Sequence, residues 1–200
     1  MTRCRLKLPD TTTEIQRWQK PPPVAQVRPT HCRHCHAASK PQGQPLVLVG
    51  HGLRQRQLRG PVEPQGPPRL VLVYLRRFLC RRCKGTMTVG PRPRQPGRLY
   101  SASTILLALA LWALCNQTSA ALRALLCPWA TPATGSWASL GRWVKAALSE
   151  QLWRHVGRPL GQGGLREQVA RLLRQWGAPE PGEDGRDFAH RLFRQLPCMR

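Results

Sequence analysis

The chain has 200 residues, of which 32 are Lys or Arg and 9 are Asp or Glu, giving a formal net charge of +23. Such a length supports one sizeable domain or two small ones with a real core, and such a charge excludes a self-neutralised surface. A polyanion is the natural partner, through an attraction that weakens as salt rises.

The charge is uneven. Residues 1–100 carry 20 basic and 3 acidic side chains, whereas residues 101–200 carry 12 and 6. A chain rich in Arg, Ala, Gly and Pro partly reflects a GC-rich genome. Codons for both acids are available at high GC, however, so base composition leaves the scarcity of Asp and Glu unexplained.

Residues 1–30 are polar and broken by Pro21, Pro22, Pro23 and Pro29, which disfavour a continuous helix. They read as a flexible basic lead-in. Met1 to Asp10 lacks the apolar core of a signal peptide, so a reducing, cytoplasmic setting with nucleoid association is the expectation.

Residues 31–91 hold the most specific signal: Cys32-Arg33-His34-Cys35 and Cys80-Arg81-Arg82-Cys83. Two thiolates separated by two residues curl round one metal ion because the backbone between them makes a tight turn. Two such turns supply the four sulfurs of a tetrahedral Zn2+ site. A disulfide framework would need an oxidising compartment. His31, His34 and His36 stand close enough in sequence for one of them to replace a cysteine, and that alternative stays open. Cys4, Cys115, Cys127 and Cys198 stand alone, as small core residues do.

Between the cysteine pairs the pattern is one of short strands: Leu46–Val49, Leu53–Leu58, Leu70–Leu75, Phe78–Leu79, and Thr86–Val89 after the second pair. Gly50-His51-Gly52 is read as a turn, and the proline-rich stretch 60–68 as a surface insertion. A β-module this small buries too little to stand alone, so a structural metal is expected to hold it together. Four thiolates leave no open position for a catalytic water. Gly85 fits a turn whose N–H groups face the sulfurs; Ala37 occupies the matching place in the first pair.

Residues 92–100 form a basic, proline-broken linker. Beyond it the expectation is helical: one helix capped by Ser101 or Ser103 and running through Leu114, a second over Ser119–Leu126, and a third from Ser136 to about His155. The third places Trp137, Leu140, Val144, Ala147 and Leu148 on one face, opposite Ser139, Arg142 and Lys145. The longest apolar run, Ile105 to Cys115, is far short of the roughly 20 residues a bilayer requires, so no membrane span is expected. Residues 156–200 form a helical tail with an apolar stripe of Leu165, Val169, Leu172, Leu173 and Trp176 and a short helix around Phe188–Leu196. Six of the seven tryptophans lie beyond residue 111, as a filled helical core requires.

The fold class expected is therefore α+β: a small β zinc ribbon over 31–91, then an all-α helix-turn-helix-like domain over 101–155 and the tail. In a helix-turn-helix the last helix enters the major groove, which would set Arg142 and Lys145 against DNA.

Taken together, the first Cys-x-x-Cys, Gly50-His51-Gly52, the phrase Arg76-Arg77-Phe78-Leu79-Cys80-Arg81-Arg82-Cys83 with Thr86 after it, and the following helices resemble the N-terminal DNA-binding region of bacterial insertion-sequence transposases. The resemblance covers roughly residues 30–150. It implies metal ligation by Cys32, Cys35, Cys80 and Cys83 and binding to duplex DNA at the ends of an element. The insertion at 60–68 and the long connection at 127–135 depart from that family's pattern.

A complete transposase needs three carboxylates around two metal ions. Three of the nine acids here crowd into one loop, and no phosphate loop or Gly-x-Ser-x-Gly elbow is present. No catalysis is predicted. Phosphate contacts are assigned to Arg54, Arg56, Arg76, Arg81 and Arg82, with Arg142 and Lys145 on the third helix. The partner expected is duplex DNA, and a homodimer is compatible with the sequence. The alternative is an RNA-binding or ribosome-associated zinc ribbon, in which Tyr74, Phe78 or Tyr100 would stack on bases. A third reading, a protein-interaction adaptor, would use the helical half alone.

Overall fold

The computed structural model describes residues 11–63, 65–91, 97–129, 137–149, 151–152 and 162–195. The protein is α+β. One antiparallel sheet has the order β1 (Leu48–Pro61), β2 (Pro68–Cys80), β3 (Thr86–Val89). Six helices accompany it among the described residues: α1 (Thr11–Arg17), α2 (Ala102–Leu114), α3 (Ser119–Leu126), α4 (Ala138–Leu148), α5 (Leu165–Arg174) and α6 (Gly185–Gln195).

β1 and β2 form one long hairpin, paired from Pro61 with Pro68 at the turn to Leu48 with Cys80 at the far end. The four short strands expected between the cysteine pairs are thus two long ones. Two sequence readings are corrected here. Gly50-His51-Gly52 is a β-bulge within β1, where the register shifts between Gly50 and Leu53 and Gly52 takes φ +90°. The proline-rich stretch is the hairpin's own connection, with residues 62–67 between paired prolines at the strand edges.

Cross-strand partners share a face, and the two ends of the hairpin bury opposite faces. Val73 and Leu75 of β2 meet Leu58 of β1 beneath Ile15 and Trp18, forming one small core. Leu48, Phe78, Cys80 and Met87 meet Cys32 in another. The first core corrects the reading of the lead-in. From Thr11 onward the chain is folded onto the sheet: the Trp18 indole N–H donates to Glu14 at 3.2 Å, and the Trp18 carbonyl accepts the Tyr74 N–H at 2.8 Å. Pro21 to Pro23 follow α1 and end it; they do not forbid it.

The helical layer is organised around α2. Every residue from Ala102 to Leu111 is buried, and α3, α4, α5 and α6 all pack on it. A helix apolar on all sides needs neighbours on all sides. Ser101 caps α2 by accepting the Thr104 N–H at 3.0 Å, and Thr118 caps α3 through the Ala121 N–H at 3.1 Å. Tyr100, Trp137 and Trp143 meet edge to face, with centroids 4.9–5.8 Å apart, and fill the space between α2 and α4. Tyr100, expected near the sheet module as a base-stacking candidate, belongs to this helical core. α4 covers Ala138–Leu148, shorter than the helix expected to about His155; residues 136 and 153–155 lie outside the described ones. α6 begins earlier than expected because Asp184 caps it, accepting the Arg186 and Asp187 N–H groups at 2.7 Å each. No helix among the described residues is long and apolar enough to cross a membrane.

The sheet also meets the helical layer near the start of α2. The Arg59 N–H donates to the Leu99 carbonyl at 2.8 Å, and the Thr104 hydroxyl donates to the Pro61 carbonyl at 3.4 Å. Gly60 adopts φ +107°, and a Cβ there would collide with the Thr104 side chain. Gly60→Ala is therefore expected to destabilise the protein by at least about 1 kcal/mol, read as a lower midpoint of thermal unfolding.

Candidate metal centre

The sulfurs of Cys32, Cys35, Cys80 and Cys83 all lie within 4.8 Å of one another. Two pairs cross between the two turns: Cys32 to Cys83 and Cys35 to Cys80, each at 3.7 Å. A tetrahedron with metal–sulfur bonds of about 2.3 Å has edges of about 3.8 Å. The cysteines are free thiols, not disulfides, and the group can hold a metal ion.

Two backbone turns of the same construction bring the sulfurs together. In the first, the Cys32 N–H donates to the Ala37 carbonyl and the His36 N–H to the Cys32 carbonyl, both at 2.9 Å. In the second, the Cys80 N–H donates to Gly85 at 2.9 Å and the Lys84 N–H returns to Cys80 at 2.8 Å. Each turn needs a left-handed residue just after its second cysteine, and these are His36 (φ 54°) and Lys84 (φ 59°). The Gly85 N–H faces the Cys83 sulfur, as the sequence suggests, and the left-handed position lies one residue earlier, at Lys84. Gly85 is needed for a different reason: a Cβ there would stand 2.8 Å from the His34 ring and 3.2 Å from the Cys83 sulfur. Ala37 meets no such demand in the first turn, which is how the two turns can differ there.

Backbone N–H groups aim at the sulfurs. Those of Cys35 and His34 hold the Cys32 thiol down, to about 6, against the effect of burial. Cys83 and Arg82 lower Cys80 in the same way. Cys83 moves in the other direction. The Gly85 N–H lowers it, but burial and the three neighbouring sulfurs outweigh that and push it up to about 12. Four thiolates in contact repel one another, and a cation at their centre removes the conflict.

The three histidines turn elsewhere. The His34 ring lies 3.3 Å from the Thr86 carbonyl, His31 pairs with the Thr30 hydroxyl at 3.2 Å, and His36 is exposed. Among the described residues, the group that could hold a metal ion consists of the four cysteines.

Four basic side chains are exposed around the centre. Arg81, Arg82 and Lys84 project from the second turn and Arg33 from the first. Arg33 and Lys84 were missed as candidates. The signal was present, since Arg33 holds the place in Cys-Arg-His-Cys that Arg81 holds in Cys-Arg-Arg-Cys. No Asp or Glu occurs anywhere from residue 64 to 149.

The other predicted contact residues are dispersed. Arg54 is exposed and Arg56 half-buried on β1, opposite Leu75 and Val73. The Arg76 guanidinium donates to the Pro22 carbonyl at 2.7 Å, so it ties the segment after α1 to β2. Arg142 and Lys145 are exposed on α4, within the helical layer and apart from the metal rim.

Four of the nine acids have structural roles. Glu14 binds the Trp18 indole, Glu167 accepts the Gly164 N–H at the start of α5, Glu183 pairs with Arg191 at 2.7 Å, and Asp184 caps α6. No family model matches the chain, and neither a curated protein nor a solved structure matches it.

Two outcomes follow. A strong chelator should expose all four cysteines to a thiol reagent and open the core of Leu48, Phe78 and Met87, measured by the loss of amide protection on β3. Gly85→Ala should weaken metal binding about 10- to 100-fold in a competition titration, because it disturbs the N–H that faces Cys83.

Proposed function

We propose that this chain is a non-catalytic nucleic-acid-binding protein, built on a structural Zn2+ held by Cys32, Cys35, Cys80 and Cys83, and that its target is duplex DNA. One observation carries the reading: the metal-gathering turns carry a rim of Arg33, Arg81, Arg82 and Lys84 in a stretch of chain, residues 15–149, that holds a single acid, Glu63. Cations without nearby carboxylates keep their full attraction for phosphate. Zinc suits an all-thiolate tetrahedral set, and its role here is to fix the rim's geometry, with no position left for substrate.

The aromatic residues favour duplex over single-stranded partners. Phe78 is fully buried, Tyr100 is in the helical core, and Tyr74 is half-buried, so the stacking platform that an RNA-binding ribbon would use is lacking among them. The structural employment of Glu14, Glu167, Glu183 and Asp184 supports the absence of catalysis. The helical half adds a second contact surface through Arg142 and Lys145. A helix-turn-helix made of α3 and α4 carries an eleven-residue connection, 127–137, where three or four residues are usual. On this reading the chain corresponds to the front, DNA-binding part of an insertion-sequence transposase.

The test is fluorescence anisotropy with duplex DNA and with single-stranded RNA of the same sequence, each at two salt concentrations. Duplex binding is expected to dominate. Replacing both Arg81 and Arg82 with Ala should weaken binding to every duplex alike and lower the slope of log affinity against log salt by about 2. Preference for the RNA, or a sharp change in sequence preference on that replacement, would overturn the assignment.

A further inference from the structure

One side of α5 is basic. Val169, Leu172 and Leu173 are buried in the helical core, while Arg166, Ala170 and Arg174, spaced by four, share another side of the helix with Glu167 and Arg171. Together with Ala113 near the end of α2 and Asn116 in the turn after it, these residues line a cavity of about 490 Å³. Its described lining includes no residue of the sheet or of either cysteine turn.

Among the described residues the lining holds three cations, Arg166, Arg171 and Arg174, against one acid, Glu167. That acid is already engaged, since its carboxylate accepts the Gly164 N–H at 3.2 Å. Elsewhere in the helical layer an arginine is met by a carboxylate: Arg191, which ties α6 to the loop before it, pairs with Glu183 at 2.7 Å. Arg166 is braced differently. Its guanidinium donates to the Asn116 side-chain carbonyl at 2.9 Å and stands 4.9 Å from the centre of the Trp112 ring. A neutral acceptor and a ring face fix a guanidinium in place without cancelling its charge. Arg171 donates to the Gln162 carbonyl at 2.9 Å, and Arg174 is exposed. Arg171 and Arg174, three residues apart on the helix, also repel each other, a cost that an anion between them removes.

Guanidinium groups present paired N–H donors that match the oxygens of a phosphate, and a dianion gains more from three of them than a monovalent ion does. We propose that this cavity is a phosphate-binding site, in which Arg166 and Arg174 hold the phosphate oxygens and Arg171 adds charge. The phosphate belongs either to a small-molecule ester or to a nucleic-acid backbone, and the chemistry recognised is the same for both. The inference stands independently of the metal rim and of the nucleic-acid reading built on it.

The probe is inorganic phosphate, titrated into the full-length, metal-loaded protein and compared with chloride at matched ionic strength. Phosphate should shift the guanidinium N–H resonances of Arg166 and Arg174 saturably. Arg174→Gln, at an exposed position in the last turn of α5, should weaken that binding about tenfold with metal content unchanged. A duplex DNA arm tells the two sources apart. If a backbone supplies the phosphate, Arg174→Gln lowers the slope of log affinity against log salt by about 1. If a free ester supplies it, that slope is unchanged and inorganic phosphate still binds with the duplex present. Resonances that stay in place, or that move equally with chloride, would sink the proposal, and so would full phosphate affinity in the Arg174→Gln protein.

Discussion

Mutual repulsion among four sulfurs is the constraint that organises this molecule. They come from turns 45 to 51 residues apart in sequence, yet stand within 4.8 Å. Left as thiols they compete for protons, with Cys32 pulled down and Cys83 pushed up. One divalent cation would satisfy all of them and, in doing so, would fix the far end of the hairpin. The small core of Leu48, Phe78 and Met87 is far too modest to do this unaided. The orientation of the basic rim follows directly, because Arg33, Arg81 and Arg82 sit between the ligands themselves.

The two ends of the hairpin serve separate needs. At the cysteine end, N–H groups aim at the sulfurs of Cys32, Cys80 and Cys83, and a bound metal ion would tie all four sulfurs together. At the turn end, the chain is held by packing: Ile15 and Trp18 on one face, and the Gly60–Thr104 joint to the helical layer. The bulge at Gly50 to Leu53 separates these regimes. It inserts one extra residue into β1, which increases local twist and lets opposite faces of one continuous ribbon be buried at its two ends.

How much of this could be read from the residues varies with the range of the interaction. The cysteine pairs and the span of α3 were legible because each is a short pattern with a local cause. Burial of Ile15 and Trp18 was not, since a seven-residue helix has no periodicity and its apolar groups matter only once β2 lies beneath them. Gly50-His51-Gly52 has the chemistry of a turn and becomes a bulge because strand pairing continues on both sides of it. The positive φ at His36 and Lys84 left no mark in the sequence, because neither is glycine and the conformation is imposed by hydrogen bonds back to Cys32 and Cys80.

The separation of the ligands also dictates an order of assembly. A loop of some fifty residues closes slowly on its own, but the β1–β2 hairpin is local and zips from its own turn at 62–67. Zipping carries Cys80 to the neighbourhood of Leu48 and thereby to the first cysteine turn, so most of the distance is covered before any ion is captured. During synthesis the N-terminal cysteines emerge long before their counterparts, and a nascent chain holds only half a coordination sphere until Cys83 has left the ribosome.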